Sequence, residues 1–219
     1  MTPTLTPEAL PALPSSTTPA SLAYQATKRA ADVLAASLGL LLVGPVLLLV
    51  GLLIKLEDGG PVLFSQTRVG KGGRHFRFFK FRSMVVDAEA KRAALKAESG
   101  QLRFKMRRDP RITRIGAWLR RTSMDELPQL LNVLRGDMSL VGPRPALPEE
   151  VADYDAAARE RLRVPQGITC LWQVSGRSLL SFEQQVELDR TYVRSRSLWL
   201  DLKLLVLTVP AVLTGRGAY

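Results

Sequence analysis

Asp125 and Glu126 are adjacent carboxylates, and Pro143-Arg144-Pro145 begins 17 residues after Glu126. A carboxylate can hold a divalent cation or attack phosphorus, and an arginine can grip phosphate oxygens through two parallel N–H bonds. Together they point to phosphoryl chemistry more than to base readout or scaffolding. A purely structural role also fits these residues. Ser123 with Glu126 three positions on is a capping-box pattern, and Asp125 would suit the positive end of a helix dipole. Both readings stay open on these residues alone.

The chain around this stretch has 219 residues and a formal net charge of +11, with an isoelectric point near 10.4. That balance calls for an anionic partner: nucleic acid, anionic lipid or a phosphorylated substrate. Aromatic residues make up only 6%, few for a module that stacks on single-stranded bases. With one cysteine, Cys170, and one histidine, His75, neither an internal disulfide nor a Cys/His metal site can form. Cys170 reads as a buried thiol and His75 as a surface residue.

Several elements have to position the acid pair. Met1 to Ser21 is rich in Pro, Thr, Ser and Ala and reads as a disordered leader, lacking the basic start and apolar run of a signal peptide. After Lys28-Arg29, the stretch from Val33 to Leu56 is almost wholly apolar and long enough for a bilayer core of roughly 30 Å. Gly44-Pro45 lies near its middle, where proline deletes a donor and glycine permits a bend. Such a segment can span, or turn back and leave by the side it entered. Its basic flanks favour keeping both ends cytoplasmic.

Val62 to Gln66 and His75 to Arg82 read as short strands around a glycine-rich turn. Phe76, Phe78 and Phe79 interleave with Arg77 and Lys80, as in a hairpin with one apolar face or one at a membrane interface. Val86 to Ser99 reads as a solvated helix. Arg103 to Arg121 is strongly basic, with Ile112, Ile115, Trp118 and Leu119 at helical spacing. The capping pattern predicts a helix from Ser123 through the leucines to Gly136. Pro148 to Arg163 reads as one helix, Leu171 to Arg177 as strand or loop, and Phe182 to Arg196 as a helix. Leu198 to Leu213 is apolar but short and interrupted by Asp201, Lys203 and Pro210, which predicts a packed or in-plane helix rather than a span.

These landmarks in this order resemble one family from about Lys28 to Tyr219: the bacterial sugar transferases, or monotopic phosphoglycosyl transferases. They are the Pro45-interrupted apolar segment, Pro61-Val-Leu-Phe-Ser-Gln-Thr-Arg68-Val-Gly70, Phe79-Lys80-Phe81-Arg82-Ser83-Met84 and Asp125-Glu126-Leu-Pro-Gln. Asp137-Met-Ser-Leu-Val-Gly-Pro143-Arg144-Pro145, Pro165-Gln-Gly-Ile-Thr169 and Trp172-Gln173-Val-Ser-Gly176-Arg177 follow. The resemblance implies an α+β, mainly helical monotopic membrane protein. Residues 1–23 would be a leader and 24–57 a re-entrant helix–break–helix in one leaflet. Residues 58–219 would be a cytoplasmic catalytic domain with a small β-hairpin and interfacial amphipathic helices. Gly44 stands where family members often carry serine before the proline, so the break lacks that hydroxyl.

The resemblance also implies roles. Asp125 would attack the sugar-linked phosphorus of a UDP-sugar, UDP-glucose or UDP-galactose being the expected donors, and a polyprenyl phosphate such as undecaprenyl phosphate would then take the phosphosugar from the aspartyl enzyme. Glu126 would hold Mg²⁺. Arg144 would clamp phosphate or nucleotide, with Lys80, Arg82, Arg68 and Arg177 as further substrate-binding candidates. Asp137 would order the loop before Pro143. The expected setting is the cytoplasmic face of the bacterial inner membrane, with membrane lipid but no nucleic acid as partner. A homodimer is open, as is the pathway: exopolysaccharide, capsule or O-antigen initiation. Two rival readings remain. A membrane-anchored basic adaptor would survive neutralisation of Asp125, and a glycosyl transferase moving the sugar alone would release UDP instead of UMP.

Overall fold

The computed structural model describes residues 21–91 and 109–214. Most of the expected leader, the distal part of the helix expected over 86–99 and the first residues of the basic stretch lie outside them. The architecture is mainly helical α+β.

Helix α1 runs from Leu22 to Asp58, 37 residues, and Ser21 caps it by accepting from the Tyr24 amide. At 1.5 Å per residue a straight helix of that length reaches about 55 Å. The expected break at Gly44-Pro45 is not a break in secondary structure: the helix continues through Pro45. Proline removes one amide donor, and the helix on either side is held by tertiary packing. Before Pro45, Ala36 and Leu40 pack with Phe76, Phe78, Leu130, Val133 and Met138. After it, Leu47, Val50 and Ile54 pack with Phe81, Ile115 and Leu119. Polar contacts secure the two ends. Arg29 donates to the Val133 and Leu134 carbonyls, Asp32 accepts from the Leu140 amide, and Glu57 accepts from the Ile115 amide. The other face is bare, with Leu34, Leu41, Leu48 and Leu56 each more than 70% exposed.

Strands β1 (Leu63–Val69) and β2 (His75–Phe81) form the expected antiparallel hairpin, with Phe64 opposite Lys80 and a tight turn at Lys71–Gly73. Side chains alternate along a strand, so Phe76, Phe78 and Lys80 share one face. Phe76 and Phe78 are buried there, and Phe81 is buried on the other face. Both faces are therefore covered, in contrast to the one apolar face expected from sequence.

Helix α2 (Arg114–Thr122) is capped by Thr113 and ends at Ser123, which takes a left-handed conformation at φ 56°. The capping box expected at Ser123 is absent, because that residue closes the preceding helix and its side chain caps nothing. A 3₁₀ turn at Met124–Glu126 follows, and helix α3 starts only at Gln129, running to Arg135.

Strand β3 (Met138–Val141) pairs in parallel with β4 (Gln166–Thr169). Their backbones come unusually close just past β3. A Cβ on Gly142 would sit 2.3 Å from the Pro165 carbonyl oxygen, and one on Gly167 would sit 2.1 Å from the Gly142 nitrogen. The single helix expected over 148–163 is three pieces: α4 (Pro148–Ala152), α5 (Ala156–Arg159) and a 3₁₀ turn at Glu160–Arg163. Asp155 restarts the chain by capping α5 through the Ala158 amide. Leu171–Ser175, expected as strand or loop, is the short helix α6. Helices α7 (Phe182–Ser195) and α8 (Leu198–Thr214) match expectation. Asp201, which interrupts the apolar run of α8, is buried between Lys28, Tyr24 and Tyr192, its oxygens 2.7 to 3.1 Å from them.

Candidate active site

Three separate parts of the chain bring their charges to Asp125 and Glu126. The first is the turn that carries them. Because Ser123 reverses the chain, the acid pair folds back on the last turn of α2, and Arg120 comes within electrostatic reach of Asp125. The second is the hairpin, whose β2 packs on this turn and presents Lys80 to both carboxylates. The third is the loop after β3. Past Val141 the Gly142 N–H donates to Thr169 O at 3.0 Å, and the chain then turns back on β4 so that Pro143 O accepts from Gly167 N–H at 2.9 Å. That fixes the backbone from which Arg144 extends.

Arg144 meets Glu126 side on, Nη2 to Oε1 at 2.5 Å and Nη1 to Oε2 at 3.3 Å. Burial works against the charge on Glu126, but the charge and hydrogen bonds of Arg144 outweigh it and hold the carboxyl below its usual range. The same contact raises Arg144 further above its already high value. Asp125 is in the opposite state. It is 8% exposed and makes no ion pair among the described residues. Burial, followed by the neighbouring Glu126 charge, pushes it up to about 6, while Lys80, Arg120 and Arg144 pull the other way. Lys80 is pushed down by burial, opposed mainly by Asp125, and its ammonium stands 5.2 Å from the Phe64 ring centre. The site thus holds one carboxylate committed to an arginine and one buried carboxylate with its oxygens free.

The remaining candidates divide. Arg177 is close enough to feel both Glu126 and Arg144, and burial lowers its guanidinium. Its φ of 53° and that of Ser123 are the only positive values at non-glycine residues among those described. Strained backbone of this kind tends to mark functional positions, and both residues flank this site. Arg68 sits at its edge, donating to the Pro145 carbonyl and to Gln66 Oε1 and lying 5.5 Å from the Phe78 ring centre. Burial, then Arg144, pushes it down to about 10. Arg82 is not brought to the pair. It is buried in a two-pronged contact with Asp58 and donates to the Pro61 carbonyl, so it ties the end of α1 to the hairpin. Asp137 pairs with Arg74 at 3.0 Å, in the turn of the hairpin. His75 is exposed and Cys170 buried, as expected.

Arg120 went unnoticed in the sequence, where its spacing assigned it only to a basic amphipathic face. Asn132 was also missed. Fully buried, it accepts from the Phe79 amide at 3.1 Å and donates to the Arg77 carbonyl at 2.6 Å. It thereby serves β2 as a neighbouring strand would and fixes the strand that carries Lys80.

No group of three or more acidic, histidine or cysteine side chains that could cage a metal occurs among the described residues. Mg²⁺ is commonly held by one or two carboxylates together with substrate phosphates; the Asp125 oxygens are open to such an ion, and Glu126 would hold it only by sharing oxygens that Arg144 already engages.

Residues 23–215 match the family model for bacterial sugar transferase. The chain belongs to the bacterial sugar transferase family. It is 46% identical over 198 residues to the exopolysaccharide production protein ExoY of Rhizobium meliloti, covering 88% of each chain. It is 48% identical over 194 residues to the galactosyl transferase CpsE of Streptococcus agalactiae, covering 87% of this chain and 43% of that one. Against the UDP-glucose:undecaprenyl-phosphate glucose-1-phosphate transferase of Escherichia coli it is 40% identical over 218 residues, 96% of this chain and 45% of that protein. The chain thus spans less than half of the longer relatives and most of ExoY.

Proposed function

We propose that this sugar transferase moves a phosphosugar from a UDP-sugar to undecaprenyl phosphate, releasing UMP and starting an exopolysaccharide or capsule-type glycan. The observation that carries the reading is the asymmetry of the acid pair: Glu126 is gripped by Arg144, while buried Asp125 keeps its oxygens free among Lys80, Arg120 and Arg144. The relatives' names supply the substrate class, since they specify glucose or galactose and undecaprenyl phosphate.

In the first step an Asp125 oxygen attacks the sugar-linked phosphorus. A P–O bond forms, the bond to the bridging oxygen breaks, and UMP leaves with that oxygen and its electron pair. In the second step a phosphate oxygen of undecaprenyl phosphate attacks the same phosphorus, the Asp125 carboxylate departs, and undecaprenyl diphosphate sugar is formed. The covalent stage lets a water-soluble donor and a lipid acceptor use one site in turn. Lys80, Arg120, Arg144 and Arg177 neutralise phosphate charge as it develops. Glu126 would hold Mg²⁺, which supplies further charge neutralisation on the diphosphate oxygens.

The reading includes a re-entrant α1. Its segments before and after Pro45 both pack on the same catalytic body, which supports a segment that keeps to one side of the bilayer. Its bare leucines would then enter one leaflet of the inner membrane from the cytoplasmic face.

The test is nucleotide release by the purified full chain with Mg²⁺, undecaprenyl phosphate, and UDP-glucose or UDP-galactose. UMP should appear with the wild type and be lost in Asp125→Asn. Release of UDP would replace the mechanism with transfer of the sugar alone, and undiminished UMP from the variant would remove Asp125 as nucleophile.

A further inference from the structure

Asp201 is a buried carboxylate in α8, a helix that is otherwise apolar from Leu198 to Val209 apart from Lys203 and Thr208. A buried ion pair seldom stabilises a fold more than apolar side chains of the same size would, so packing alone does not account for it. Both of its oxygens are engaged. Oδ2 accepts from the Lys28 ammonium at 2.9 Å and from the Tyr24 hydroxyl at 3.1 Å. Those two residues lie four apart on α1 and so share one face of that helix. Oδ1 accepts from the Tyr192 hydroxyl of α7 at 2.7 Å.

Tyr192 carries the contact onward. Its hydroxyl also lies 3.0 Å from the Val141 carbonyl, so one proton is shared between two acceptors. Val141 is the last residue of β3, and only Gly142 and Pro143 separate it from Arg144. That link has little slack. The proline ring fixes one torsion, and Gly142 lies so close to β4 that a Cβ on it would sit 2.3 Å from the Pro165 carbonyl oxygen. The preceding residue is held from α1 too, since the Leu140 amide donates to Asp32 at 3.1 Å. Asp32 stands four residues beyond Lys28. A polar stripe on α1, made of Tyr24, Lys28 and Asp32, thus fixes the end of β3 twice: directly at Leu140, and through Asp201 and Tyr192 at Val141.

The consequence falls on Arg144. Its side-on contact with Glu126 requires the guanidinium at a set distance and angle, and a small shift of the backbone beneath it would spoil one of the two bonds. A misplacement of about 1 Å at a reacting centre can cost on the order of 100-fold in rate.

We infer that Tyr192 and Asp201 are positioning residues for Arg144, holding the end of β3 where the guanidinium meets Glu126 and the phosphate. The inference rests on the proposed function in taking Arg144 as a group that neutralises phosphate charge.

The experiment measures UMP release by the full chain in detergent for wild type, Tyr192→Phe and Asp201→Asn, each also combined with Arg144→Lys. Tyr192→Phe removes a single oxygen and Asp201→Asn keeps the shape of the side chain, and thermal melting shows that the variants are folded. In each single variant kcat should fall on the order of 10- to 100-fold while KM for the UDP-sugar stays within about two-fold, the pattern of an interaction lost in the transition state. In the Arg144→Lys background the same substitutions should cost less than about three-fold, because residues that act through one group are not additive. Amide exchange at Gly142 and Arg144, read by mass spectrometry, should quicken in both single variants whatever their activity. A folded Tyr192→Phe with wild-type kcat and exchange would overturn the inference. An equal loss in both Arg144 backgrounds would also overturn it, since the effect would then not pass through Arg144. Absence of UMP release by the wild type would count against the proposed activity, while faster exchange in the variants would still support the linkage.

Discussion

Asp125 pays a folding penalty for its proposed role. A carboxyl raised to about 6 in the folded protein binds its proton more tightly there than in the unfolded chain. Stability is therefore lost as pH rises from the ordinary carboxylate range through 6, by on the order of 2–3 kcal/mol. In EDTA and without substrate, Asp125→Asn should unfold later than wild type at pH 7.5, with the gap closing toward pH 4. Thermal melts across that range check it, and a less stable variant at pH 7.5 would show that the charge is compensated. The nucleophile candidate, Glu126, Lys80 and Arg144 were legible from residue types and motif order. Arg82 was grouped with the acid pair because a motif cannot show that Asp58, 24 residues earlier, engages the guanidinium. Arg120 was invisible because its approach depends on a left-handed Ser123, a conformation that serine does not announce.

At the level of elements, the capping pattern at Ser123 was a false signal. The side chain that should have started one helix instead sits at the end of another, and the acid pair occupies a tight turn between them. The hairpin, α7 and α8 were readable from alternation and helical periodicity, since they are long enough for the pattern to repeat. The pieces between 148 and 175 were not, because elements of four or five residues carry too few positions to show a period. The glycines of Val141-Gly142-Pro143 and Gln166-Gly167-Ile168 now have a physical reason. A methyl group on either would collide with backbone, which cannot rotate away. Gly167→Ala should cost about 3 kcal/mol and displace the Arg144 loop. Chemical denaturation together with UMP release checks both. Full activity with unchanged stability would mean that the two strands can part without moving Arg144.

The whole molecule is organised around α1, and topology tests it best. If both ends of α1 face the cytoplasm, single cysteines placed at Ser21 and at Asp58 should both react with a membrane-impermeant maleimide in inverted inner-membrane vesicles, and neither in right-side-out ones. The native Cys170 is buried and should stay silent. Labelling of the two positions from opposite sides would establish a span. The apolar length and basic flanks of this segment were plain in the sequence. That both its halves pack on one body was not, because those contacts join residues far apart in the chain, from Ile54 and Phe81 to Ala36 and Val133.

That packing has a consequence for how an active molecule comes into being. Ala36, Val50 and Ile54 are interior residues of the catalytic body, shielding Phe76, Phe81, Leu119 and Val133, while the opposite face of the same helix is a row of exposed leucines. On the proposed membrane reading, folding and insertion are a single event. For the same reason, trimming the greasy helix to obtain a water-soluble enzyme would remove one wall of the core along with the anchor.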